Sequence, residues 1–119
     1  MIVDDASIIR LMIKDILTEC GGYEIIAECS NGLEGLSTYK TLKPDLVTMD
    51  IVMPEMDGIQ ALEEILKFDP AARVVMVTAI DQRDALMKAI RLGATDYIVK
   101  PFEAERVMSA VQKALGDVK

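Results

Sequence analysis

Leu46-Val47-Thr48-Met49-Asp50-Ile51-Val52-Met53-Pro54-Glu55-Met56-Asp57-Gly58 is the stretch that decides how this chain folds. Leu46 to Met49 reads as a strand, and the strand ends on a carboxylate, Asp50. Pro54 and Gly58 then mark a loop. Beyond it Ile59, Leu62, Ile65 and Leu66 recur at helical spacing, until Asp69-Pro70 closes the helix. Strand, loop and helix in that order make one βα unit, and a charge that ends an apolar strand needs a reason.

The same unit recurs on both sides. Upstream, Ile2-Val3 is a short apolar run stopped by Asp4-Asp5. Residues 7–20 follow as a helix with Ile9, Met12, Ile13 and Ile16 on one stripe, ended by Gly21-Gly22. Tyr23 to Glu28 reads as the second strand, centred on Ile25-Ile26-Ala27. Ser30 or Asn31 can cap a helix over 31–41, which Pro44 stops. Downstream, Val74 to Val77 is a fully apolar fourth strand ending at Thr78. A helix over 82–92 stops at Gly93. Tyr97-Ile98-Val99 is the fifth strand, ending at Lys100-Pro101, and a last helix over 103–115 carries Val107, Val111 and Leu115 on one line.

Five βα units in succession require parallel strands, because each returns through a helix. Strands that are apolar almost throughout require cover on both faces. The expectation is therefore one α/β domain over residues 1–119, a doubly wound parallel sheet with helices on both sides. Only three residues precede Asp4, which is short for a central strand, and a natural start upstream of Met1 is one reading of it.

Composition narrows the function. The 119 residues carry 13 basic and 20 acidic side chains, a net charge of −7. Such a chain repels nucleic acid and anionic lipid, and its Lys and Arg are scattered rather than clustered. No stretch is apolar for long enough to span a membrane, and no signal peptide is visible. Cys20 and Cys29 lack metal or redox spacing and read as two free reduced thiols, so a cytoplasmic location is expected. The chain has no histidine, which excludes Ser-His-Asp and Cys-His nucleophiles and His-ligated zinc.

The remaining chemistry lies at the strand ends. Strand one ends in Asp4-Asp5, strand three in Asp50, strand four in Thr78 and strand five in Lys100. In an open parallel sheet the ligand site lies outside the carboxyl ends of the strands, so three carboxylates, a hydroxyl and an ammonium converge there. Carboxylates that close repel and raise one another's pKa values. Lys100 offsets part of the charge, and a hard dication such as Mg²⁺ suits the oxygen ligands. A carboxylate can also act as a nucleophile toward phosphorus, and Mg²⁺, Lys100 and Thr78 are the groups available to neutralise the phosphoryl oxygens.

Four segments together resemble the receiver domains of response regulators, of the CheY type. They are Ile2-Val3-Asp4-Asp5, Thr48 to Gly58, Val77-Thr78-Ala79 and Gly93-Ala94-Thr95-Asp96-Tyr97-Ile98-Val99-Lys100-Pro101-Phe102. The resemblance covers essentially the whole chain. It implies a flavodoxin-like (CheY-like) (βα)5 fold with strand order 2-1-3-4-5. It implies Asp50 as the phosphoacceptor, Asp5, Asp50 and the backbone carbonyl of Val52 as Mg²⁺ ligands, and Asp4 as a ligand through water. Thr78 and Lys100 would hold the phosphoryl group, Tyr97 would move inward when Thr78 is drawn to it, and Lys100-Pro101 would be cis. The implied protein is a monomeric switch rather than a turnover enzyme. It would take its phosphoryl group from a histidine kinase and change the affinity of the face 82–115 for a target such as a flagellar motor switch component, as in chemotaxis.

Two positions depart from helpful chemistry. Val52 and Ile80 flank the path of a hydrolytic water and cannot hydrogen-bond it, so slow self-dephosphorylation is expected. Three other readings compete. A phosphatase of the dehalogenase superfamily would need a second acid two residues after the nucleophile, where this chain has Val52. A flavin binder would need a Gly-rich phosphate loop and stacking aromatics, and aromatic residues make up only 4% here. The chain could also be a receiver cut from a longer regulator with a DNA-binding or enzymatic output domain.

Overall fold

Five parallel strands form one sheet in the order β2-β1-β3-β4-β5, in a computed structural model that describes residues 1–116. The strands are β1 (Ile2–Val3), β2 (Glu28–Cys29), β3 (Val47–Asp50), β4 (Val74–Ala79) and β5 (Asp96–Lys100). Between and after them run α1 (Ser7–Cys20), α2 (Gly32–Leu42), α3 (Gly58–Phe68), α4 (Arg83–Leu92) and α5 (Ala104–Leu115). The expected doubly wound topology and strand order are both present.

Strand alternation divides the core into two layers. Val3, Val47, Met49, Val74 and Met76 point to one face, where Ile59, Leu62 and Ile65 of α3 and Ala89 of α4 cover them. Ile2, Val75, Val77 and Ile98 point to the other, beneath Ile13 and Leu17 of α1 and Val107, Ala110 and Val111 of α5. With so few aromatic residues, the aliphatic and methionine side chains supply nearly all the buried volume, as the composition foretells.

Helix ends follow their sequence signals. Asn31 caps α2 by accepting from Glu34 N–H, and Asp57 with Gln60 forms a capping box at α3. α1 lacks such a cap, since Ala6 occupies its N-cap position.

Two expectations need correction. The second strand is Glu28–Cys29, not Tyr23 to Glu28. Residues 23–29 do alternate between inward and outward side chains, and Ile26 is 43% exposed, so the segment is a solvated edge rather than a two-sided strand. Its neighbour β1 contributes only Ile2 and Val3 to the pairing, so residues 23–26 lack a partner to hydrogen-bond. The second correction concerns α1: Ile9, Ile13 and Ile16 of the expected stripe do pack against the core, but Met12 is 40% exposed and Leu17 is buried instead. Apolar residues lie all round this helix, and the contact with α5 selects the face.

A cavity of about 330 Å³ lies at the N-terminal edge of the sheet, lined by Ile25, Leu46, Thr48, Val111 and Leu115 among others. Thr48 Oγ1 is buried with no hydrogen-bond partner among the described residues. Beside it the Met1 ammonium donates to the Leu46 carbonyl at 2.8 Å, and burial pulls its pKa down to about 6. Among the described residues no helix is long and apolar enough to cross a membrane.

Candidate functional site

Register fixes which strand-end residues stand together. Ile2 pairs with Thr48 and Val3 with Met49, so Asp4 stands level with Asp50. Asp50 pairs with Val77, and Val77 with Ile98, so Lys100 starts two residues higher on β5 and reaches down. Side chains two apart share a face. Asp4, Asp50 and Lys100 therefore belong to the α1/α5 side of the sheet, and Thr78 and Tyr97 to the α3/α4 side.

Each predicted carboxylate is in place. One carboxylate oxygen from each of Asp4, Asp5 and Asp50 lies within 4.8 Å of the others. Asp4 and Asp50 are buried and Asp5 is exposed, so the cluster opens on one side. Lys100 Nζ sits 3.4 Å from Asp4 Oδ2 and 3.3 Å from Asp50 Oδ1. Asp50 Oδ1 also accepts from Ile51 N–H at 2.9 Å, while none of the hydrogen bonds among the described residues reaches Asp50 Oδ2.

The electrostatics are those of a site short of positive charge. Burial, then the neighbouring Asp4 charge, pushes the Asp50 carboxyl up to about 6, against the pull of Lys100 and the Ile51 N–H. Asp4 Oδ1 accepts from Ala6 N–H at 2.9 Å, while Asp4 Oδ2 is buried and, among the described residues, receives no hydrogen bond, its charged neighbour being the Lys100 ammonium at 3.4 Å. One ammonium shared between two buried carboxylates leaves part of their charge uncompensated, which costs free energy. The all-oxygen donor set, one buried oxygen without a hydrogen bond and one exposed carboxylate fit a small hard dication that keeps part of its water.

The loop over the site is clamped by two close approaches. A Cβ on Gly58 would lie 2.0 Å from the Asp50 carbonyl oxygen, and one on Gly32 would lie 2.1 Å from the Met56 carbonyl oxygen. Gly58 N–H donates to Ile51 at 2.7 Å and Gly32 N–H to Met56 at 2.9 Å. The loop of residues 51–57 is thereby drawn down against β3 and α2. Val52 and Ile80 are 60% and 84% exposed, so both apolar side chains stand in solvent at this edge.

Thr78 is buried, and its hydroxyl donates to the Ala79 carbonyl at 3.0 Å and to Gln82 Oε1 at 3.3 Å. Tyr97 is exposed. The Arg106 guanidinium lies 5.6 Å from its ring centroid, donates to its backbone carbonyl and pairs with Asp96 at 3.3 Å. The Lys100-Pro101 peptide is cis.

Three residues escaped the sequence reading. Gln82 holds Thr78 and also accepts from Ala79 N–H at 2.8 Å. Arg10 donates to the Asp4 carbonyl at 2.6 Å and pairs with Glu28 at 3.5 Å, tying α1 to both strand ends. Gly32 carries no sequence signal for its contact across to Met56. A polar residue four places after Thr78 at a helix start was the available hint for Gln82.

The Response regulator receiver domain family model matches residues 1–112. This chain belongs to that family. It is 53% identical over 116 residues to the chemotaxis protein CheY of Bacillus subtilis, covering 98% of this chain and 96% of the relative. It is 51% identical over 113 residues to CheY of Thermotoga maritima, covering 95% and 93%. Among solved structures, a CheX-CheY-BeF3-Mg²⁺ complex from Borrelia burgdorferi contains a chain with a TM-score of 0.90 and 36% identity, covering 98% of this receiver and 87% of that chain. Receivers of this kind are signalling switches of two-component systems.

Proposed function

We propose that this receiver accepts a phosphoryl group on Asp50 from the phosphohistidine of a histidine kinase, in a Mg²⁺-dependent transfer, and thereby switches a protein target in chemotaxis. The observation that carries this reading is the cluster of three carboxylates within 4.8 Å, bridged by one ammonium.

Asp50 Oδ2 has free lone pairs and attacks phosphorus, while Oδ1 is held by Ile51 N–H and Lys100. The P–N bond of the donor breaks, and its electron pair leaves on the imidazole nitrogen. Lys100 moves from pairing two carboxylates to pairing the phosphoryl oxygens. Asp5, Asp50 and the Val52 carbonyl would hold the metal, with Asp4 acting through water. Bound there, Mg²⁺ supplies the positive charge that lets the carboxylates and the transferred oxygens sit together. Asp50 pushed up to about 6 is still mostly ionised at neutral pH, as a nucleophile must be.

The switch follows from the two faces of the sheet. Thr78 turns its hydroxyl proton to the new oxygens and leaves space on the α3/α4 side. Tyr97 shares that side and moves inward from its exposed position. The surface of α4, β5 and α5 then changes its fit to a target such as a flagellar motor switch component, as a shift between two populated states. Chemotaxis is supported by the CheY relatives matched over nearly their whole length.

The test is labelling with acetyl phosphate followed by intact mass. The parent gains one phosphoryl group with MgCl2 and none with EDTA, and Asp50→Asn gains none in either. Labelling of Asp50→Asn at the parent rate would contradict the assignment.

A further inference from the structure

The hydroxyl of Thr78 has a single proton, and in this structure that proton is already committed. Both of its acceptors belong to one tight turn between β4 and α4. Gln82 N–H donates to the Ala79 carbonyl at 3.2 Å, and Ala79 N–H donates back to Gln82 Oε1 at 2.8 Å. The Thr78 hydroxyl donates to both of those oxygens, Ala79 O at 3.0 Å and Gln82 Oε1 at 3.3 Å. Because a backbone N–H can only donate, the amide atom that faces Ala79 is oxygen, and the acceptor seen by Thr78 is assigned without ambiguity. Gln82 stands at the N-cap of α4, yet its side chain makes no cap bond to the helix. It is turned back to β4 instead, at the cost of leaving the first N–H groups of α4 without a side-chain acceptor.

We propose that Gln82 is a positioning residue that holds the Thr78 hydroxyl away from Asp50 until a phosphoryl oxygen competes for it, and that this same bond ties the release of Thr78 to the first turn of α4. The inference rests on the phosphoacceptor reading above. Thr78 lies on the α3/α4 side of the sheet and Asp50 on the other, so the hydroxyl has to leave this turn to serve the phosphoryl group. When it leaves, Gln82 Oε1 keeps only Ala79 N–H. A charged phosphoryl oxygen is a stronger acceptor than a neutral amide, so the exchange favours release only once Asp50 is modified. The turn therefore sets the resting bias of the switch.

The experiment titrates beryllofluoride with MgCl2 into the parent, Gln82→Met and Gln82→Glu, following Asp50 and Thr78 by NMR. Methionine matches the length of glutamine and lacks a strong acceptor, whereas glutamate keeps the acceptor oxygen. Half-saturation of Gln82→Met falls about threefold, the scale of one shared neutral hydrogen bond, while Gln82→Glu binds no more tightly than the parent. Before any addition, the Thr78 methyl resonance of Gln82→Met lies part-way to its position in the saturated parent, and that of Gln82→Glu stays at the free position. The methyl shift reports the hydroxyl directly, so it decides the matter even if methionine lowers the melting temperature. A parent that binds while Gln82→Met shows neither the tighter binding nor the shift overturns the latch alone, as do equal gains in both variants. A parent that takes up no beryllofluoride, or an Asp50→Asn control that binds equally well, overturns the phosphoacceptor reading and the latch with it.

Discussion

The two edges of this sheet bury polar groups for opposite results. At the C-terminal edge, Asp4, Asp50 and Thr78 are buried and each is held by named partners, one oxygen of Asp4 only by the shared Lys100 ammonium. At the N-terminal edge, Thr48 Oγ1 is also buried and, among the described residues, unpartnered, and a cavity of about 330 Å³ lies alongside. The difference is convergence. Above, the unmet demand belongs to carboxylates from two strand ends that face one another, so a single cation satisfies it. Below, the unmet group among the described residues is a single hydroxyl beside the cavity, with no facing group to share one ligand.

The contrast can be broken most forcefully at Lys100. Lys100→Ala removes the only cation bridging Asp4 and Asp50 among the described residues, and labelling by acetyl phosphate falls roughly 100-fold, the scale of losing one charge-stabilising group in a transition state. Rates measured by intact mass at saturating MgCl2 check this, and a change under threefold would mean that the ammonium is incidental.

A smaller effect concerns the exposed rim of the same edge. Val52→Asn or Ile80→Glu gives the attacking water a hydrogen-bonding partner, and phosphoprotein decay speeds about tenfold in each. If the parent decays fastest, the apolar rim does not set the lifetime.

The raised Asp50 pKa sharpens the comparison through stability. The carboxyl is pushed from 3.8 to about 6, so the fold prefers its protonated form. That preference stabilises the protein fully below about pH 4 and is lost as pH rises through about 6. In EDTA, denaturant unfolding should show a loss of about 1 kcal/mol across this window, after allowance for solvent screening. Asp50→Asn should remove that slope, and an unchanged slope would place the charge conflict elsewhere.

The smallest expected effect lies at the other edge. Thr48→Val replaces an unpartnered buried hydroxyl with a methyl group of similar size and stabilises the protein by up to about 1 kcal/mol. Urea unfolding midpoints measure it, and destabilisation would show that the hydroxyl has a partner after all.

Much of the upper edge was legible in the chain because each apolar run stops on the residue that matters. Asp50 after Met49, Thr78 after Val77 and Lys100 after Val99 need only a parallel sheet to be brought together. The order of the ten elements was legible for the same reason, since glycine, proline and cap residues separate apolar runs. The lower edge was not. Tyr23 to Ala27 has the composition of a strand, but pairing depends on what lies beside it, and two residues of β1 give too little. The inner face of α1 was readable in part: Ile9, Ile13 and Ile16 of the expected stripe pack against the core, but Met12 is exposed and Leu17 takes its place, because apolar residues lie on several sides of the helix and α5 selects among them. Gln82 and Arg10 look like ordinary surface residues in sequence, and only the fold shows which backbone and side-chain groups they hold.

The most direct test of the central claim is a calorimetric titration of MgCl2 into the parent, Asp5→Asn and Asp50→Asn at neutral pH and fixed ionic strength. The account predicts one saturable site in the parent, with affinity lost at least tenfold in both variants. Equal magnesium affinity in all three proteins, or none in the parent, would contradict it.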